Sequence, residues 1–191
     1  PYLAARTEKL HFTTSVIKLA IRQPVIVAKQ LATLAVMLGD RFAFGVGISP
    51  WPEDFEVCQI AWEKRGKRMD EMMEIITGLM SGEYFGYQGE IFNIPDIKLC
   101  PVPEHHVPLL VGGHAKPALR RAARLGDGWV SAGSSLEELK SMIGQIEEFR
   151  KDYERDQGEF QYHAMTEAAY SPEGLADLTA AGVTEVIIAF R

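Results

Sequence analysis

Hydrophobic and polar positions along the chain alternate between strand-like and helix-like spacing. Short apolar, β-branched runs predict strands at residues 10–16, 41–46, 108–113, 128–131, 160–165 and 183–190. Apolar residues three or four positions apart predict helices at residues 24–38, 69–80, 116–125, 136–153 and 172–182. About six strand–helix repeats in series are typical of a parallel α/β fold.

Two architectures fit this order of elements: an open doubly wound sheet and a closed barrel. An eight-stranded α/β barrel needs about 250 residues, roughly 30 per strand–helix unit, so this chain is short by about two units. The prediction opens and closes on a strand. We therefore favour one TIM (β/α)8 barrel domain over residues 1–191, lacking its first two βα units and its last helix. Residues 82–107 are an irregular insertion, in which residues 84–92 could form a hairpin.

Composition narrows the class of protein. The chain has 191 residues, 47% of them hydrophobic, and can bury one sizeable core. A net charge of −6 argues against nucleic acid or an anionic membrane as a partner. Two cysteines suit a reducing cytoplasm, where we expect the protein to act. No apolar run is long enough to span a membrane, and the start shows no signal-peptide pattern. The first residue is Pro1 and not Met, so the chain could begin inside a larger protein.

The most informative segment is residues 108–125. A strand-length apolar run ends in Gly112 and Gly113, and a helix pattern with Pro117 in its first turn follows at once. Glycines let the backbone approach a ligand closely, and the free N–H groups of a helix start favour an anion. An ordinary turn with glycines at strained dihedral angles explains the pattern equally well.

Small neutral residues dominate the carboxyl ends of the predicted strands, where barrels place their active sites. Ala43, Gly45 and Gly47 share one strand face, which leaves room for a flat molecule or for tight packing against a helix. No metal site is expected, because His105 and His106 lack nearby carboxylate or thiolate ligands. A pocket poor in acids and bases suggests that a cofactor performs the chemistry.

Several short motifs then occur in an order that resembles the luciferase-like monooxygenase superfamily, in particular its deazaflavin (coenzyme F-420) oxidoreductases. The matching residues are Thr14-Ser15-Val16, Gln23-Pro24, Ala28 to Leu34, Arg41-Phe42, Gly45-Val46-Gly47, Arg65-Gly66, Arg68, Asp70-Glu71, Pro108, Val111-Gly112-Gly113-His114, Ala118 to Ala123 and Gly126-Asp127-Gly128-Trp129. Each motif is weak alone, and together they cover almost the whole chain.

The resemblance implies a barrel that holds a reduced flavin or deazaflavin, with F-420 favoured and FMN as the alternative. Similar deazaflavin enzymes have a non-prolyl cis peptide behind the ring, and Ser15–Val16 falls at that place. The resemblance also assigns the phosphate-containing tail to Gly112 and Gly113, and basic residues from His114 to Arg121 suit an acidic tail. The expected cofactor-binding residues are Ser15, Val16, Gly47, Ser49, Gly112, Gly113 and His114.

The implied activity is that of an oxidoreductase, either hydride transfer with F-420 or oxygenation with reduced FMN, on a small organic molecule. Pro50 stands where some similar dehydrogenases carry a catalytic Glu, so the catalytic residue is unknown; Glu53 is a candidate, in a loop that could equally be plain surface. The alternatives are a non-catalytic flavin-binding protein on a degraded barrel and a phosphate-handling isomerase or lyase. The family also suggests a homodimer.

Overall fold

The computed structural model describes residues 1–189, which form two compact units that divide between Pro108 and Leu109. Each unit combines parallel strands with helices. Among residues 1–189, every helix is too short or too polar to cross a lipid bilayer.

The first unit is built on a central parallel strand. Its strands are β1 (Phe12–Thr13), β2 (Ile17–Lys18), β3 (Phe42–Gly47), β4 (Tyr84–Gln88) and β5 (Asn93–Lys98). Its helices are α1 (Tyr2–Ala5), α2 (Pro24–Leu38), α3 (Pro52–Val57) and α4 (Arg65–Leu79). β3 pairs in parallel with both β1 and β2, whereas β4 and β5 form an antiparallel hairpin.

The apolar stripes of α2 and α4 form much of the core of this unit. The buried members of the stripes include Val27, Ala28, Leu31, Ala35, Met69, Met72, Met73, Ile76 and Leu79. Met69, Met72 and Met73 of α4 are therefore core residues, as expected for apolar residues at helical spacing. α2 begins at Pro24 and ends before Gly39, whose φ of +65° favours glycine, so both ends follow the predicted signals.

The second unit is a four-stranded parallel sheet with three helices. Its strands are β6 (Leu109–Gly112), β7 (Gly128–Ala132), β8 (Gln161–Met165) and β9 (Glu185–Val186), paired in that order. Its helices are α5 (Lys116–Leu125), α6 (Leu136–Asp152) and α7 (Pro172–Ala180). Asp127 closes the turn between α5 and β7: its carboxylate accepts from the Leu109 N–H at 2.9 Å, while its own N–H donates to the Leu109 carbonyl.

Five predictions about elements are corrected. In place of one strand at 10–16, β1 lies within that range and β2 follows it, with a cis peptide bond between Ser15 and Val16 separating the two. α3 lies where a loop was predicted around Glu53, and α1 precedes the first strand, so the chain does not open on a strand. The hairpin extends to Lys98. The last strand covers Glu185–Val186, and Phe190, where it was predicted to end, lies outside the described residues.

The small face of β3 is filled by the chain's own backbone at Gly45. A Cβ atom there would lie 1.8 Å from the Thr14 carbonyl oxygen. The Thr14 hydroxyl donates to the Gly45 carbonyl and accepts from the Gly45 N–H, both at 2.8 Å. Gly45 is therefore required for close packing of two chain segments, and the expectation that this face holds a flat ligand is wrong at Gly45. The neighbouring segment is β1 with its extension, not a helix.

Candidate cofactor site

The glycine turn of the second unit has the geometry of a backbone cradle. β6 ends at Gly112, and Gly113 has a φ of +126°. A Cβ atom on Gly113 would lie 2.9 Å from the Cβ of Ala118, so a larger residue would both strain the backbone and fill the turn. The indole N–H of Trp129 donates to the Gly113 carbonyl at 2.8 Å, which anchors the turn to β7.

The start of α5 leaves backbone donors for an anion. Its N-cap residue is Ala115, whose methyl group cannot accept a hydrogen bond, and Pro117 occupies the first turn. The Ala118 and Leu119 N–H groups bond to the Ala115 carbonyl, and Pro117 has no N–H, so Lys116 supplies the free backbone donor of the first turn. A turn that a Cβ would fill and an uncapped ten-residue helix together fit a phosphate group.

The basic residues near this turn are less available than the sequence suggested. Arg121 is buried at 7% exposure, so it adds no exposed charge. The Lys116 ammonium and the Arg120 guanidinium lie 5.9 Å and 5.0 Å from the ring centre of Phe149 on α6. Backbone dipoles and His114 are therefore the groups of this turn that are best placed to meet an anion.

His114 follows the glycines and is held from one side. Its Nε2 atom lies 3.2 Å from the Ser131 hydroxyl and accepts from the Ala132 N–H at 3.3 Å. Ser131 is fully buried and shares a 2.9 Å hydrogen bond with the buried Ser134 hydroxyl. The imidazole also contacts the Trp129 ring edge-on, with 6.2 Å between ring centres.

A polar cluster forms at the carboxyl ends of β2 and β3 in the first unit. Parallel pairing sets Lys18 beside Gly47, and Ser49 follows two residues later, buried at 1% exposure. The Asp54 carboxylate accepts from the Lys18 ammonium at 2.5 Å and from the Ser49 hydroxyl. The hydrogen bonds from Lys18 and Ser49 lower the pKa of Asp54, so this carboxylate stays ionised.

This cluster also fixes Trp51. The Trp51 N–H donates to the Ser49 hydroxyl at 3.2 Å, and the Lys18 ammonium lies 4.5 Å from the centre of its ring. The indole is nevertheless 57% exposed. The backbone of Trp51 and the Lys18 ammonium beside its ring are therefore held in place, while the indole remains accessible to solvent.

The remaining predicted site residues of the first unit lie close to this cluster in sequence. Ser15 and Val16 are exposed and joined by a cis peptide bond, the geometry that the resemblance led us to expect. Gly47 is buried at the end of β3. Glu53 is exposed on the first turn of α3, and it is the adjacent Asp54 that enters the polar cluster. The roles proposed for these residues in cofactor binding stay predictions.

Sequence reasoning missed Lys18, Asp54 and the positioning contacts of Trp129 and Ser131. Pro52 followed by two acidic residues is a helix-start signal and could have placed Asp54 in a first turn facing the strand end. The contacts of Trp129 and Ser131 depend on the pairing of β6 with β7, which no local pattern specifies.

The luciferase-like monooxygenase family matches residues 2–174, and this chain belongs to that family. A solved structure, the coenzyme F-420 dependent tetrahydromethanopterin reductase from Methanopyrus kandleri, aligns with a TM-score of 0.83 at 16% identity, over 98% of this chain and 79% of that one. This likeness confirms the predicted fold class, an α/β barrel of the luciferase type.

Sequence relatives are oxidoreductases and monooxygenases where their names state an activity. An uncharacterized protein from Mycobacterium tuberculosis is 44% identical over 99% of this chain and 65% of its own length. An F-420-dependent glucose-6-phosphate dehydrogenase from Microbacterium testaceum is 32% identical over 72% of this chain and 42% of its own length. An FMNH2-dependent dimethylsulfone monooxygenase from Pseudomonas putida is 29% identical over 75% and 41%. The chain thus spans less than two thirds of the length of each of these relatives.

Proposed function

We propose that this protein is an oxidoreductase that binds coenzyme F-420 and passes hydride between the deazaflavin and a small organic substrate. Family membership and 32% identity to an F-420-dependent dehydrogenase support this cofactor class. The structural observation that carries the proposal is the Gly112–Gly113 turn at the uncapped start of α5, because it matches the needs of a phosphate-containing tail.

The chain's own residues would then bind the cofactor, orient it and shield it from water, since the deazaflavin supplies the hydride chemistry when bound. Backbone N–H groups from Gly113 to Lys116 would donate to the phosphate, and Trp129 keeps the turn in place. In the first unit, the Lys18–Asp54–Ser49 cluster fixes the residues after β3, where Trp51 is available to cover a ligand.

FMN-dependent oxygenation is the second candidate. An FMNH2-dependent monooxygenase is 29% identical to this chain, and the phosphate of FMN would suit the same glycine turn.

A cofactor titration tests the proposal. Quenching of cofactor fluorescence is followed as the protein is titrated against F-420 and, separately, against FMN. We expect F-420 to bind about tenfold more tightly, a difference of about 1.4 kcal/mol. Tighter binding of FMN would instead favour the monooxygenase. Failure of both cofactors to bind would refute both candidates, and binding without turnover against alcohols, sugar phosphates and sulfones would favour a non-catalytic carrier.

A further inference from the structure

The His114 side chain accepts a hydrogen bond from the end of β7, where β6 no longer pairs with that strand. β6 ends at Gly112, paired with Val130, whereas β7 continues to Ala132. The Gly133 N–H donates to the carbonyl of Met165, the last residue of β8, and successive N–H groups of a strand point to opposite sides. The Ala132 N–H therefore points to the side that β6 has vacated, and it donates to Nε2 of His114 at 3.3 Å.

This contact defines which nitrogen of the neutral imidazole carries the proton. A backbone N–H can only donate, so Nε2 of His114 must be the unprotonated nitrogen. The Ser131 hydroxyl lies 3.2 Å from the same atom and can donate to it while accepting from Ser134 at 2.9 Å. Both serines are buried, so the Ser131–Ser134 bond is shielded from water, whereas the imidazole itself is exposed. The neutral ring then carries its proton on Nδ1.

Nδ1 is left with its donor unused. Within residues 1–189, the structure gives this atom no hydrogen-bond partner. Glu138 interacts electrostatically with His114, and its Oε2 atom accepts from the Ser135 N–H at 2.8 Å and from the Ser135 hydroxyl at 3.0 Å. Among the described residues, the side-chain hydrogen bonds of Glu138 go to Ser135 and not to His114.

We infer that Ser131 is a positioning residue that holds His114 in its Nδ1–H tautomer, and that this Nδ1–H donates to the phosphate of the bound cofactor. The inference rests on the proposed function, because the phosphate is that of F-420 or FMN at the Gly113 turn. His114 then adds a neutral side-chain donor to the backbone donors of the turn. The hydrogen bonds between Ser134 and Ser131 and between Ser131 and His114 set the orientation of its ring.

The tautomer is measured directly by long-range 1H–15N correlation spectra of the histidine rings at neutral pH. We expect the wild-type protein to show the Nδ1–H pattern for His114, and Ser131→Ala to show a mixture of both tautomers. Ser141→Ala, an exposed serine on α6, is the matched control and should leave the spectrum unchanged. An Nε2–H pattern in the wild-type protein overturns the inference.

The phosphate contact is measured by affinity ratios. The probes are F-420 against the deazaflavin nucleoside that lacks the phosphate tail, and FMN against riboflavin. We expect His114→Gln, whose amide reaches the Nε2 position, to lose about tenfold of the preference for the phosphorylated form, about 1.4 kcal/mol. His114→Asn, whose amide lies near the Nδ1 position, should retain most of it, and Ser131→Ala should lose about threefold, roughly 0.65 kcal/mol.

The two proposals fail in different ways. Unchanged affinity for the dephosphorylated probes shows that a variant is folded and still binds the ring. If His114→Gln then keeps the full preference for phosphate, His114 is only a partner for the strand edge and the inference is overturned, while the proposed function stands. If the wild-type protein binds none of the four probes, the proposed function is overturned and the phosphate contact with it.

Discussion

At the scale of single residues, Gly113 combines an unusual backbone angle with a crowded side-chain position. Its φ is +126°, and a Cβ would lie 2.9 Å from that of Ala118. We expect Gly113→Ala to cost about 1–3 kcal/mol of stability, because the turn must open to relieve the strain. The displaced donors should also lower F-420 affinity about tenfold, while the affinity for the tail-less nucleoside changes little. Thermal unfolding and fluorescence titration measure the two effects.

Gly144 provides the matched glycine-to-alanine control. It is exposed in the middle of α6, and among the described residues no heavy atom beyond the neighbouring helix backbone lies within 4 Å of a Cβ built there. Gly144→Ala should raise the free energy of unfolding by about 0.5–1 kcal/mol, since alanine has the higher helix propensity. Cofactor affinity should not change. Equal effects of both substitutions would contradict the special geometry assigned to Gly113.

The sequence predicted candidate site residues that follow the end of a predicted strand. It did not predict the residues that strand pairing places beside them. Ser49 and His114 could be predicted because they follow glycine-terminated strands. Lys18 reaches Ser49 and Asp54 only because β2 pairs with β3 in one register, and Ser131 reaches His114 only because β6 stops two residues before β7 does. Register is set by the packed sheet and has no local sequence signal.

At the scale of elements, the predictions succeeded where a long apolar stripe had a capping signal at each end. α5 begins and ends at the predicted residues, with proline in its first turn and Gly126 after its last. α3 was missed because its six residues contribute one buried side chain, Phe55, and so show no periodicity. The strand predicted at residues 10–16 was split because Thr14 uses its side chain to bond Gly45 in place of a regular ladder.

The Glu71 carboxylate of α4 holds the turn between β4 and β5. Glu71 is fully buried, and it accepts hydrogen bonds from the backbone N–H groups of Glu90, Ile91 and Phe92 at 2.8, 3.0 and 3.0 Å. These three bonds outweigh burial and lower the pKa of Glu71. We expect Glu71→Ala to destabilise the protein by about 3 kcal/mol, since three backbone N–H groups, that of Phe92 buried, lose the buried carboxylate that accepts from them. Glu71→Gln should cost less, about 2 kcal/mol, because one amide oxygen can still accept.

Urea unfolding followed by circular dichroism measures this loss. Glu148→Gln, an exposed glutamate on α6, is the matched control and should change stability by less than about 0.5 kcal/mol. Because the pKa of Glu71 is lowered on folding, its stabilisation is complete above its ordinary pKa of 4.5 and is lost as the pH falls through the folded value. A Glu71→Gln protein as stable as the wild type would show that the turn is held by other contacts.

At the scale of the whole molecule, the order of strand–helix units was sufficient to identify the fold class before any side-chain contact was known. Parallel strands joined through helices leave few topologies, and length arithmetic favoured a barrel over an open sheet. The family match over residues 2–174 and the TM-score of 0.83 support the same assignment. Substrate choice is different, because it depends on which side chains fill the space above the strand ends, and repeat order contains no information about them.

The pH dependence of global stability should have a second step well above the acid range of Glu71. His163 is 6% exposed in the middle of β8, with Nε2 3.0 Å from the Gln161 side-chain oxygen. Burial lowers the pKa of His163 below its ordinary value of 6.5, although Glu185 acts weakly in the opposite direction. The unfolded chain therefore binds this proton first as the pH falls. Its contribution is complete above pH 6.5 and declines towards the folded pKa, with a slope of up to about 1.4 kcal/mol per pH unit.

Urea unfolding between pH 5 and 7.5 measures this slope. His163→Phe removes the titrating group while keeping a buried ring, so we expect the stability curve to flatten over that range. His11→Asn, at an exposed histidine before β1, should leave the slope as it is in the wild type. The acid step of Glu71 should persist below pH 4.5 in the His163→Phe protein, because a different side chain produces it. A slope that survives His163→Phe would place the neutral-range titration on another group and contradict the burial argument for β8.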